Sequence, residues 1–250
     1  MRVVTLHPDV AVATSRVYQT NCTAIRSGDE GFVVDSPVYP DELDLLPAVL
    51  EQAGFVVSGL LATHGDWDHV LGRLAFPGAA LGVAETTAAR LTGEPGEAQR
   101  ELRDFDEEHY VERPRPLSLG QVQALPVPGH VGLGEHEIEL HPTDGHTADG
   151  MALWLPWVRV LVCGDYLSPV EIPMLSQTGS RDAYLATLER LRPLVEQAEW
   201  VVPGHGQPID GARALAVMRE DVTYLQTWEL PLARRTGAQR AADKANRERG

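Results

Sequence analysis

The chain has two cysteines in 250 residues, Cys22 and Cys163, which is too few for a disulfide framework. No Cys-x-x-Cys pair offers a thiolate metal or redox site, and each cysteine sits in an apolar run where a small buried side chain fits. Long hydrophobic runs are absent too, since none reaches the roughly 18 to 20 residues needed to span a bilayer. The first nine residues, Met1 to Asp9, carry one positive side chain and no apolar stretch. They do not read as a secretory signal, so a cytoplasmic protein is the expectation. Positive charge is scarce: 21 Lys and Arg stand against 36 Asp and Glu, a formal charge of −15. A nucleic acid as main partner is disfavoured, because phosphate binding needs a basic surface. The one basic concentration is Arg234, Arg235, Arg240, Lys244, Arg247 and Arg249, read as a solvated helix end, with a contact for an acidic partner as the other reading.

What is present is enough apolar side chain, 43 %, to fill a substantial core. Val- and Thr-rich segments at 2–6, 10–15, 22–27 and 31–35 read as short strands, separated by Asn21, Ser27-Gly28 and Pro37. Residues 41–53 carry Leu45, Leu46, Val49 and Leu50 at helical spacing and close on Gly54. A buried strand at 58–63, a strand at 79–83 and a helix at 84–91 follow. Residues 93–120 are the least regular, with an acidic run at 104–108 that is either a solvated face or a mobile flap. Strands at 121–126, 135–141, 151–155 and 159–163 precede a helix at 181–197, a strand at 199–202 and a final helix from 210 to about 235. Strands then helices, twice over, predict two packed sheets with helices outside. Residues 1–235 read as one domain and 236–250 as a basic C-terminal tail.

The densest polar cluster follows the buried strand: Thr63-His64-Gly65-Asp66-Trp67-Asp68-His69. Four potential ligands fall within six residues, where a strand ends. Imidazole and carboxylate suit zinc, manganese and iron. One loop cannot close a two-metal site, so further ligands are expected at other strand ends. His146 in Asp144-Gly145-His146-Thr147, Asp165 in Cys163-Gly164-Asp165 and His205 in Pro203-Gly204-His205-Gly206 occupy such places, each beside a glycine that lets the chain turn.

These four motifs, with Val33-Val34-Asp35-Ser36 before them as a fifth, resemble in this order the metallo-β-lactamase superfamily from Asn21 to Gln207. Val33-Val34-Asp35-Ser36 is similar to the family's early strand-end Asp, here read as structural. The resemblance implies an α+β fold, a four-layer αββα sandwich of two mixed β-sheets flanked by helices. It implies a first metal on His64, position 66 and His146, a second on Asp68, His69 and His205, and Asp165 bridging. The stretches 184–191 and 201–206 look closest to the glyoxalase II and lactonase-like branch. The chain ends one helix later, without the helical glutathione-binding domain of glyoxalase II, which argues against glutathione thioesters.

One residue departs from the family pattern: Asp66 stands where a second His is usual. Its harder oxygen either turns preference from zinc towards iron or manganese, or simply ligates zinc; loss of the first site is a third reading. The expectation is therefore a binuclear hydrolase with two divalent ions, zinc by default, in which metal-activated water attacks a thioester, lactone or related acyl compound. Phosphodiesterase or nuclease activity, and iron-dependent redox chemistry, are the alternatives, because this fold hosts several chemistries. Asp68 is expected to orient the nucleophile as well as ligate. Tyr166 is either a donor to the substrate or a packed core side chain. His130 in Pro128-Gly129-His130 mimics the late motif but is followed by Val131 and is rejected as a ligand. His136 and His141 read as packed or rim residues, His7 and His109 as surface. Trp67 is expected to pack over the site. Asp144 and Asp149 flank His146 either as partners that orient an imidazole or as exposed loop carboxylates. A small-molecule substrate is the expected partner, and the sequence does not reveal the oligomeric state.

Overall fold

A strand with apolar residues at every position needs cover on both faces, and β2 (Val10–Thr14) and β10 (Met151–Leu155) are both buried end to end. Because side chains alternate, Val10 and Val12 of β2 enter one apolar cluster while Ala11 and Ala13 enter another. Met151, Leu153 and Leu155 of β10 share the first of these clusters, and Ala152 and Trp154 enter a third. The shared cluster is the seam between two sheets; the other two lie under the outer helices. The computed structural model, which describes residues 1–249, is accordingly a four-layer αββα sandwich.

The first sheet has seven strands in sequential order: β1 (Arg2–His7), β2, β3 (Asn21–Ser27), β4 (Glu30–Val34), β5 (Gly59–Ala62), β6 (Ala80–Ala84) and β7 (Val122–Leu125). Its first four strands form an antiparallel meander, and β4 to β7 run parallel. The second sheet has six strands, ordered β13 (Ile209–Asp210), β12 (Trp200–Val202), β11 (Val160–Val162), β10, β9 (His136–Pro142) and β8 (Gly129–Leu133). Its pairs are antiparallel except β11 with β12.

Against the first sheet pack α1 (Pro40–Gln52), through Leu43, Leu46 and Leu50, and α4 (Glu97–His109), through Ala98, Leu102 and Phe105. The short α2 (Gly72–Ala75) and α3 (Glu85–Gly93) lie on the connections around β6. Against the second pack α5 (Arg181–Gln197), through Tyr184, Leu188, Leu191 and Val195, and α6 (Gly211–Thr227), through Ala214, Val217 and Met218. Ser180 and Asp210 cap α5 and α6 by accepting from the backbone N–H of Ala183 and Arg213.

Three sequence expectations are corrected. Residues 93–120 are not irregular throughout, because α4 buries Ala98, Leu102 and Phe105, spaced four and three residues apart on one face. The final helix does not run to Arg235: it stops at Thr227, where Trp228 takes a left-handed conformation, φ 59°, that α-helix cannot continue. The basic tail is not a solvated end; residues 237–249 form α7 (Gly237–Arg249), with Gln239 and Asn246 buried. None of the described helices is long and apolar enough to cross a membrane.

Candidate metal centre

Four strands, β5, β9, β11 and β12, end on one edge of the sandwich, and the seven candidate ligands lie in the loops that follow them. Three ligand sets have donor atoms within 4.8 Å of one another: His64, Asp66 and His146; Asp68, His69 and His205; and His64, His69 and Asp165. Asp165 divides its carboxylate between the first two. Its Oδ2 faces His146 Nε2 at 3.3 Å and His64 Nε2 at 3.9 Å, while Oδ1 faces His69 Nε2 at 3.2 Å and His205 Nε2 at 3.3 Å. Asp66 Oδ2 completes the first set, 3.2 Å from His146 Nε2 and 3.6 Å from His64 Nε2. Asp68 Oδ2 completes the second, 3.8 Å from His69 Nε2 and 3.6 Å from His205 Nε2.

Every imidazole is held by its outer nitrogen, which leaves Nε2 pointing inward. His69 Nδ1 meets Asp35 Oδ2 at 3.0 Å, and His64 Nδ1 meets Thr63 Oγ1 at 3.1 Å. Thr63 donates its hydroxyl and its backbone N–H to Asp35, at 2.9 and 2.8 Å. Asp35 is therefore structural, as the sequence reading has it, and it sits in the left-handed region at φ 58° to reach these partners. His146 Nδ1 lies 2.8 Å from the Met174 carbonyl, and His205 Nδ1 3.1 Å from that of Tyr18. Thr20 donates its hydroxyl to Asp68 Oδ2 at 3.3 Å. Asn21 grips the last loop, donating to the carbonyls of Pro203 and Gly206 at 2.8 and 2.7 Å. Gly204 is obligatory there, because a Cβ would overlap the Asp165 carboxylate.

Three buried atoms in this cluster have no hydrogen-bond partner: His64 Nε2, His69 Nε2 and Asp165 Oδ1. Orphaned buried polar atoms are costly, and these three converge with carboxylates, a donor set that fits divalent cations. The electrostatics agree. Burial opposes charge on His146, yet Asp66 and Asp165 outweigh it and push the imidazole up to about 9. His205, likewise buried, is pushed up to about 10 by Asp165 and Glu171. Asp66 and Asp165 are held well below the usual carboxylate range against their burial, the former by His64 and His146, the latter by His205, His69 and His64. The carboxylates thus favour positive charge in the place that cations would fill.

Asp66, the departure from the family pattern, has a partner the sequence reading missed. Arg90 on α3 donates to its Oδ1 at 2.7 Å, and also to Asp149 at 3.1 Å and Glu97 at 3.1 Å. Asp149 is buried and accepts from Gly65 N–H and the Thr87 hydroxyl, so it braces the ligand loop and is not an exposed carboxylate. Asp144 instead meets Thr187 and Arg190, on α5. Tyr166 is the packed alternative: it is buried against Tyr184, and its hydroxyl accepts from the His146 backbone N–H at 3.1 Å. Its hydroxyl oxygen is turned to that backbone N–H, and Tyr166 is not among the described residues that line the cavity above the ligands. His130 lies exposed on β8, paired in register with Glu139, and His136 stacks on Trp157. His141 faces Glu139 at 3.3 Å. Neither cysteine belongs to a candidate metal set among the described residues.

Above the ligands opens a cavity of about 410 Å³, walled by Tyr18, Trp67, Glu101, Glu171, Ile172 and Met174, with Ala238, Gln239 and Ala242 of α7. Trp67 packs on Phe105 of α4, ring centroids 4.8 Å apart and planes tilted by 33°, and meets Tyr18 edge-on.

The model of the metallo-beta-lactamase superfamily matches residues 15–205. The chain belongs to that superfamily. It is 26 % identical over 193 residues to a beta-lactamase-like protein 2 homolog of Caenorhabditis elegans, covering 76 % of this chain and 57 % of that protein. It is 28 % identical over 100 residues to a metallo-beta-lactamase type 2 of Bacteroides fragilis, covering 36 % and 40 %. The chain thus spans about half the length of these two relatives. Among solved structures, the metallo-beta-lactamase DIM-1 superposes with a TM-score of 0.65 at 20 % identity, over 91 % of this chain and 97 % of that one, a likeness of fold. Members of this superfamily are mostly metal-dependent hydrolases.

Proposed function

We infer that the chain is a binuclear metal-dependent hydrolase of a small, uncharged ester-like substrate: a thioester, a lactone or a related acyl compound, in the manner of the glyoxalase II and lactonase-like branch. The observation that carries this reading is the divided Asp165 carboxylate, one oxygen turned to each triad. His64, Asp66 and His146 would hold one ion and Asp68, His69 and His205 the other. Bound divalent ions supply Lewis acidity and a water acidified to near neutral pH.

The protein's own residues do the rest. Asp68 holds a proton acceptor at the cavity floor, kept in place by the Thr20 hydroxyl. Tyr18, Trp67, Ile172 and Met174 offer apolar walls that exclude water from an acyl chain. Tyr166 fixes the backbone at His146. Charge narrows the substrate. No Lys or Arg is among the described residues lining the cavity, whereas Glu101 and Glu171 are. A phosphodiester, or a β-lactam antibiotic with its carboxylate, would meet two glutamates and no cationic side chain on those walls, leaving only the bound ions to offset its charge. Zinc is the default ion, with iron or manganese as the alternatives that Asp66 favours.

The test is elemental analysis per chain of protein purified without added metal, followed by assays on neutral thioesters, lactones and phosphodiesters. Two ions per chain and turnover of a neutral acyl substrate, abolished in His69→Ala and His205→Ala and kept in His130→Ala, are expected. At most one ion per chain after zinc is supplied would sink the reading. So would preferential turnover of phosphodiesters.

A further inference from the structure

The segment 168–176 has no regular secondary structure, yet it supplies three residues of the cavity wall, Glu171, Ile172 and Met174. Its Met174 carbonyl also holds His146 Nδ1 at 2.8 Å. The Ser168 hydroxyl accepts from Val170 and Glu171 N–H, at 3.2 and 3.0 Å, but an irregular segment cannot satisfy all of its own backbone and needs partners from elsewhere. Four side chains of the C-terminal segment provide them. Arg234, wholly buried, donates to the carbonyls of Glu171 at 2.6 Å and Ser168 at 3.3 Å, and is neutralised by Asp221 at 2.6 Å. Gln239 Oε1 accepts from Ile172 N–H at 2.7 Å. Asn246, wholly buried, accepts from Leu175 N–H at 2.8 Å and donates to the Pro173 carbonyl at 2.6 Å and the Tyr224 hydroxyl at 2.9 Å. Arg249 donates to the Leu175 carbonyl.

Asn246 therefore fixes the peptides on both sides of Met174, the residue whose carbonyl orients His146. We propose that α7 is part of the active site, a strap in which Asn246 is the positioning residue for the first metal triad. The chain of contact is short: Asn246 to Pro173 and Leu175, the Met174 carbonyl to His146 Nδ1, and His146 Nε2 to the cation position. The same helix turns Ala238 and Ala242, one turn apart, into the cavity, so the strap that orients a ligand also bounds the substrate. Of the α7 side chains, Gln239, Asn246 and Arg249 bond only to 172–175 and Tyr224 and not to His69, Asp68 or His205, which Asp35, Thr20 and the Tyr18 carbonyl support. Arg234, before α7, instead meets Ser168, whose hydroxyl donates to the His205 carbonyl at 2.8 Å. The two triads thus respond differently to its loss.

This inference rests on the two-cation reading, and one experiment separates the two. Zinc alone is titrated into the metal-stripped full chain against a competing chelator, for wild type, Asn246→Ala, Asn246→Asp and Arg249→Ala, with His146→Ala marking which step belongs to the first triad. Wild type is expected to bind two zinc ions. Asn246→Ala should weaken the first-triad step by roughly 10- to 100-fold, the usual effect of losing an outer-shell partner, and leave the second step unchanged. Asn246→Asp keeps an acceptor for Leu175 N–H and should recover part of the loss. Arg249→Ala, at an exposed position, covers the case in which Asn246→Ala does not fold, and should weaken the same step several-fold. Variants in which both steps match wild type, or fall together, overturn the strap. Wild-type chain that binds fewer than two zinc ions overturns the metal-centre reading and the strap with it.

Discussion

At the scale of single residues, Asp66 and Arg90 form a unit. A carboxylate in place of imidazole adds negative charge to a triad that already borders Asp165, and Arg90 offsets it by bonding Oδ1 while Oδ2 faces the ligands. Restoring histidine at this position alone would set an imidazole against a guanidinium and leave Arg90 with only Asp149 and Glu97. Asp66→His should therefore weaken zinc at the first triad by about tenfold, roughly 1.4 kcal/mol, and Asp66→His combined with Arg90→Gln should regain most of it. Isothermal titration of the two variants reads the coupling directly; additive losses would show that the pair does not act together. The histidines make a second prediction. With folded values of about 9 for His146 and about 10 for His205, both carry protons at pH 7 in cation-free protein. Those raised values stabilise the cation-free fold below the ordinary histidine range, and the contribution is lost as pH climbs through 9 to 10. A cation must displace the same protons. Apparent zinc affinity should rise steadily from pH 7 to 9, with proton release visible as a dependence of binding heat on buffer ionisation. Flat affinity across that range would contradict it.

At the scale of elements, the legible parts were those whose apolar pattern has one period. The helices at 41–53 and 181–197 carry a helical apolar period, and the strands leading into each ligand loop are apolar or alternating runs that stop close to a glycine or proline. All seven ligand candidates lie where those strands stop, and the structure gathers them into two triads and a shared carboxylate. The helix α4 escaped because only Ala98, Leu102 and Phe105 mark its buried face, and charged or polar side chains of both signs fill the rest. The helix α7 escaped because its buried side chains are polar and bond to a loop, a pairing that no periodicity signals. The outer partners of His146 and His205 are backbone carbonyls, for which any residue would serve. One missed support is nonetheless a side chain. Asn21, at the start of β3 in the first sheet, reaches across to the His205 loop of the second, and its Oδ1 accepts from Thr14 at 2.7 Å. Asn21→Ala leaves two buried carbonyls unpaired, so about 2 to 3 kcal/mol of stability should go. The zinc held by Asp68, His69 and His205 should weaken more than its neighbour. Urea unfolding and zinc titration on one sample measure both, and equal weakening at the two triads would assign Asn21 to stability alone.

At the scale of the whole molecule, the excess of acid continues into the cavity. Against a formal charge of −15, three basic side chains of the C-terminal segment are spent on structure: Arg234 on the Ser168 and Glu171 carbonyls and Asp221, Arg249 on Leu175, Arg247 on Asp243. None of these is turned to the substrate. Glu101 and Glu171 remain as the charged groups beyond the ligands, the first pushed up to about 7 by burial and by Asp66. Two bound cations would draw Glu101 back towards its ionised form, so both glutamates would repel an anion. At an effective dielectric of about 40 and a separation of about 8 Å, each repulsion amounts to ~1 kcal/mol. Replacing both by glutamine should raise kcat/KM for a carboxylate-bearing ester by about 10- to 30-fold, while a neutral ester of equal size changes less than about threefold. The increase should shrink as salt rises, because the cavity is open to solvent and the repulsion is screened. Equal changes for the two esters would mean that the glutamates shape the cavity without sorting charge.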